Sequence, residues 1–184
     1  MDKPATRGIP KFIPFLIVIL LGSMYYYAMF MDTSKPEIIV QRFYQAYFQR
    51  DFPKVSENLS VFWSVRFLPQ YSLLPPSELV AKRAAIEADA TKVIAQIESK
   101  NEIPKNIKIE VMPDYTKTGE YSALVVYNFV QNGKPSGMEL AVLIKENGRF
   151  RIFNMSPVAT QDLEQIKNGD LKELDEGFKS LLGV

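Results

Sequence analysis

The chain contains no cysteine and no histidine. Thiolate and imidazole metal centres, cysteine nucleophiles, histidine general bases and lipid attachment through a lipobox cysteine are therefore excluded within it. It has no surplus of charge: 22 basic residues face 21 acidic ones, for a formal net charge of +1. Lys3, Arg7 and Lys11 sit in the first eleven residues against Asp2 alone, so the remainder is close to neutral. Nucleic-acid binding needs a basic surface to displace counterions from phosphates. None is present, and nucleic acid is set aside as a partner. There is no internal repeat, low-complexity tract, G-x-G-x-x-G or Walker pattern, and Asn132-Gly133-Lys134-Pro135 reads as a turn. Acid pairs such as Glu87/Asp89 and Asp175/Glu176 read as solvated helix faces. No metal and no cofactor are assigned.

What is present is 184 residues, 47% hydrophobic and 12% aromatic, enough for one domain and an appendage. Residues 12–31 form a run of twenty without a charge. As a helix rising 1.5 Å per residue, it would be about 30 Å long, the thickness of the hydrocarbon core of a bilayer. Pro14 falls in its first turn, where a missing N–H costs nothing. Tyr25, Tyr26, Tyr27 and Phe30 crowd its far end as an interfacial belt would. The expectation is a single-pass anchor in the cell membrane. A cleaved signal peptide is the rival, but the region after Leu21 is bulky and lacks a small-residue cleavage site. The basic start places residues 1–11 in the cytoplasm as a short tail and the domain outside.

Ser34-Lys35-Pro36-Glu37 has the form of a capping box, so a helix is predicted from near Lys35. Ile39, Phe43, Ala46 and Tyr47 then recur at helical spacing up to a break at Asp51-Phe52-Pro53, and a short second helix runs to about Leu59. The β-branched and aromatic stretch Val61–Phe67 predicts a short strand. A long helix is predicted over 77–99. After Pro104 the period changes to two: Ile107, Ile109 and Val111 alternate with Lys108 and Glu110. Residues 121–131, 138–146 and 149–156 read as three further antiparallel strands, the last two joined by Asn147-Gly148, a two-residue hairpin turn. Helices first and an antiparallel sheet after them give an α+β domain over 35–158, followed by a helical segment over 159–184.

Placing Glu146 opposite Arg149 sets Ile144 against Arg151, Val142 against Phe153 and Leu140 against Met155. Placing Gln131 opposite Met138 adds Val125, Tyr127 and Phe129 to that face, which is assigned to the helices. The other face then carries Leu124, Val126, Leu143, Phe150 and Ile152, beside Asn128, Glu139 and Asn154. That side is too apolar to be left wet. Its predicted cover is the C-terminal stripe Leu171, Leu174, Phe178 and Leu181, or else a protein partner or second copy of the chain.

The segments Pro36–Ser60, Glu120–Val130 and Met138–Met155 resemble the cone-shaped α+β fold of the nuclear transport factor two-like superfamily. The resemblance is carried by an aromatic-rich helix ending in Arg50-Asp51-Phe52, and by a last hairpin in which Gly148 and Arg149 precede Phe150 and Ile152. It implies N-terminal helices packed on a curved antiparallel sheet. That fold hosts isomerases, dehydratases, transport adaptors and membrane-anchored bacterial envelope domains. The layout is also similar to the single-span assembly subunits of type IV secretion machines.

Enzymes of that superfamily use an Asp/His or Asp/Tyr pair deep in the cone. Without histidine only the second is open, and no strand position predicted to face the cone carries an acid. A non-catalytic binding or assembly module outside the membrane is therefore expected. The alternatives are a small-ligand binder using an apolar pocket or, third, a lyase or isomerase. Candidate ligand residues are the aromatics Tyr44, Tyr47, Trp63, Phe67, Tyr127, Phe129 and Phe153.

Overall fold

The structure, a computed structural model, describes residues 12–26, 35–103 and 105–184. The chain divides into two compact units, residues 1–32 and 33–184. In the first, helix α1 covers Phe12–Tyr26, 15 residues. At 1.5 Å per residue it is about 22 Å long. Among the described residues no helix is long and apolar enough to cross a membrane. Residues 27–31 of the predicted span, and Ser34 of the predicted capping box, lie outside the described residues.

The second unit is α+β, with helices and a five-stranded antiparallel sheet. Helix α2 (Pro36–Phe48) starts with Lys35 as its N-cap and Pro36 in the first turn, without a side-chain cap. Proline at the first position supplies a fixed φ where no N–H is needed. Arg50, at φ 57°, turns the chain, and Asp51 caps α3 (Phe52–Asn58) by accepting from the Lys54 N–H. The strand predicted over Val61–Phe67 is instead helix α4 (Val61–Ser64) running into a 3-10 turn (Val65–Phe67). Ser60 caps it by accepting from the Phe62 N–H at 3.1 Å, and this local capping overrides the β propensity of the segment. The predicted long helix is broken at Lys82 into α5 (Pro76–Ala81) and α6 (Arg83–Glu98).

Strands β1 (Ile107–Val111), β3 (Ser122–Gln131), β4 (Lys134–Glu146) and β5 (Arg149–Pro157) lie in the order β1-β3-β4-β5, and the short β2 (Lys117–Thr118) also pairs with β3. Both hairpins turn on two residues. Asn132-Gly133 and Asn147-Gly148 all have φ between 50° and 78°, the left-handed pair that a tight hairpin requires.

The first of these turns corrects the predicted register. Gln131 pairs with Lys134, not Met138, and after a bulge at Ser136 the ladder continues as Phe129↔Gly137 and Asn128↔Met138. The offset from expectation is three residues. An odd offset exchanges the faces of β4. A second bulge, at Phe153, shifts β5: Leu143 faces Ile152, but Val142 faces Asn154 and Ala141 faces Met155. Leu143, Phe150 and Ile152 consequently join Ala123, Val125 and Tyr127 in the core against α2 and α3.

Val126 and Ile144, on the other face, are fully buried. The C-terminal helices α7 (Leu163–Asn168) and α8 (Lys172–Leu182) contribute the buried Leu163 and Phe178, and the Phe178 ring lies 4.9 Å from that of Phe153. The end of the β4–β5 hairpin is anchored by the fully buried Glu146, which pairs with Arg83 of α6 and accepts from the Ser60 hydroxyl.

Candidate ligand-binding site

Between α2, the α3–α4 turn, α6 and the end of β5 lies a cavity of about 230 Å³. Helical periodicity builds its walls. Phe43 and Tyr47 are one turn apart on α2, and Ala90, Val93, Ile94 and Ile97 follow at three- and four-residue steps on α6. Trp63 and Phe67, with ring centroids 4.9 Å apart, close one side, and Met155 of β5 closes another. Deep in the wall is Ala90, whose methyl leaves room that a larger side chain would take. At the mouth are Phe67 and Ile97, 47% and 52% exposed, apolar groups left in water where the cavity opens.

The cavity has one acidic group, Glu98, the last residue of α6. Its Oε2 accepts from the Tyr47 hydroxyl at 2.9 Å and from Asn101 Nδ2 at 3.1 Å. Burial, followed by donation to the Glu98 carboxylate, pushes the Tyr47 phenol up to about 12, against a smaller opposing effect of Arg50. Tyr47 therefore remains a hydrogen-bond donor at neutral pH. The Arg50 guanidinium is directed to the main-chain carbonyls of Glu98 and Asn101.

A second polar group lies on the far side of Met155. Tyr44 and Tyr127 hydroxyls are 2.9 Å apart, and both reach Glu139 Oε2, at 3.1 and 2.6 Å. The register correction brings Glu139 to this face, where no acid was predicted. Burial is the main cause that raises both phenols well above the ordinary tyrosine range, and the Glu139 charge adds to it. Phe129 packs edge-on to Tyr44 and Tyr127, at 5.1 and 5.7 Å between centroids. The hydroxyls are spent on one another and on Glu139, and none of these residues lines the cavity.

The seven aromatics predicted as a ligand set thus separate. Tyr47, Trp63 and Phe67 line the cavity, Tyr44, Tyr127 and Phe129 form the neighbouring polar–aromatic group, and Phe153 packs with Phe178 on the opposite face of the sheet. Glu98 was not singled out in the sequence. Its signal is an acid in the last turn of a helix, where bases are favoured by the macrodipole. Among the described residues no three acids come together as a cation site. No protein-family model, curated protein or solved structure matches the chain.

Proposed function

We propose that the protein is a membrane-anchored, non-catalytic module whose domain, outside the membrane, binds a small apolar ligand in the cavity between α2, α4 and α6. The observation that carries this reading is the cavity itself, with its exposed apolar mouth at Phe67 and Ile97. Its volume of about 230 Å³ exceeds the roughly 150 Å³ of an apolar cavity that admits benzene, and approaches the lower end of ordinary ligand sites. A lyase or isomerase reading is less well supported, since Tyr44, Tyr127 and Glu139 bond to one another and do not line the cavity. An assembly surface on the sheet is also less well supported, because the chain's own α8 packs there.

The anchor rests on the uncharged run 12–31 and the basic residues before it. Single cysteines at position 5 and in the Asn132-Gly133 turn should label from opposite sides of the membrane, and labelling from one side would remove the anchor from the proposal.

Trp63 is the only tryptophan in the chain, so its emission reports directly on the cavity. A series of linear alcohols should shift that emission saturably. Each added methylene should tighten binding about fourfold, the equivalent of about 0.8 kcal/mol, until the cavity is full. A response that is linear in concentration and independent of chain length would exclude a bound site.

A further inference from the structure

We infer that the ligand carries an amine, and that its ammonium group sits at Glu98 while its apolar body fills the cavity. The inference rests on the reading of the cavity as a ligand site and adds the chemical class of what enters it.

Glu98 stands at the mouth of an otherwise apolar space, and both of its protein hydrogen bonds fall on one oxygen, Oε2. Its Oε1 has no partner among the described residues and can accept from a ligand donor. Neither hydroxyl of the lining is free to receive an anion instead: Tyr47 donates to Glu98, and Ser64 donates to the Ser60 carbonyl at 3.0 Å. Position adds to this. Glu98 closes α6, where the aligned carbonyls already concentrate partial negative charge, so a cation is attracted by the carboxylate and by the helix end together.

Arg50 also reaches that end. It is committed to the carbonyls of Glu98 and Asn101 and makes no hydrogen bond to the carboxylate. Tyr47, Trp63 and Phe67 line the same space, and aromatic rings of this kind attract cations, tryptophan best. A carboxylate-tailed ligand of the same length would bring its charge against Glu98. An alcohol would donate to the same carboxylate but bring no charge of its own, so it would form a hydrogen bond without the ion pair.

The test uses the full chain in amphipol and three probes of one length: hexylamine, 1-hexanol and hexanoate. Binding is read from Trp63 emission and checked by calorimetry. Hexylamine should bind on the order of tenfold more tightly than 1-hexanol, and hexanoate most weakly. Glu98→Gln, which keeps the shape and an acceptor for Tyr47, should bring hexylamine and 1-hexanol to within about twofold, with the larger loss on hexylamine. Tyr47→Phe should preserve the amine preference, because it removes a donor to Glu98 and not the charge. Equal binding of all three probes, or an amine preference that survives Glu98→Gln, overturns the inference and leaves the cavity standing as a ligand site. Absence of binding by all three overturns both.

Discussion

Asp175 lies more than fifty residues along the chain from the groups it holds, yet it joins the C-terminal helix to the sheet. Its carboxylate accepts from the Glu120 and Tyr121 main-chain N–H groups and from the Ser122 hydroxyl, at 2.9, 3.0 and 2.6 Å. A Cβ at Gly119 would collide with this carboxylate, so any larger residue there would have to displace it. Partial burial works against ionisation, but the hydroxyl and backbone hydrogen bonds outweigh it and hold the group below the ordinary aspartate range. A depressed carboxyl stabilises the fold fully above its unfolded value and loses that contribution as pH falls through the folded one. Stability should therefore be flat in this respect from neutrality to about pH 5 and fall below about pH 4. Asp175→Asn should cost about 1–2 kcal/mol at neutral pH and remove part of the acid-side fall. Thermal midpoints measured against pH check both expectations; an Asn variant with the parent's midpoint at pH 7 would show that these bonds do not secure the helix.

At the scale of elements, α8 is amphipathic, and its apolar stripe Leu171, Leu174, Phe178, Leu181 was legible from its spacing alone. The need for a cover on the far face of the sheet was legible as well. Which residues form that face was only half legible. Leu124 and Val126 were placed correctly, but Leu143, Phe150 and Ile152 belong to the helix-side core. The error has one physical source. A strand pattern of period two records that faces alternate, but register is set by turn length and bulges, and the sequence marks Ser136 and Phe153 as bulges by no composition signal. The same odd offset turns Glu139 to the helix side, so the strand pattern carries no sign of the Tyr44–Tyr127–Glu139 group. The segment Val61–Phe67 shows the converse case, where a strong β propensity yields to a serine cap and tertiary packing.

Ending the chain at Thr160 removes α7 and α8, with their buried Leu163 and Phe178, and uncovers the part of β3 against which α8 packs. Each fully buried aliphatic side chain contributes roughly 1.5–3 kcal/mol, and Leu163 and Phe178 are lost with the helices. The shortened protein should therefore melt several degrees lower or begin to self-associate, as shown by calorimetry and light scattering. An unchanged midpoint in a monodisperse sample would mean that the far face does not need this cover.

On the scale of the whole molecule, the α+β class, the order of helices before strands, β1 and the Asn147-Gly148 turn followed from sequence pattern, because period and turn chemistry are local properties. The cavity did not. Its walls come from three regions distant in sequence, and whether a set of aromatics fills a core or lines a space depends on packing that no periodicity records. Tyr47, Trp63 and Phe67 meet at one place, whereas Tyr44, Tyr127 and Phe129, of the same chemistry, pack as core next to it.

Whether this space receives a ligand or is an accident of core packing is decided at its α6 wall. Ala90→Leu tests it most directly, because the new side chain would enter the cavity from its α6 wall. Filling a true void adds buried apolar area without strain, whereas enlarging a residue in a filled core costs about 1–3 kcal/mol. With a ligand site there, the variant should melt at or above the parent's temperature, and its Trp63 emission should no longer respond to the alcohol series. A variant that is destabilised, or one that still binds the alcohols as the parent does, would contradict a ligand site.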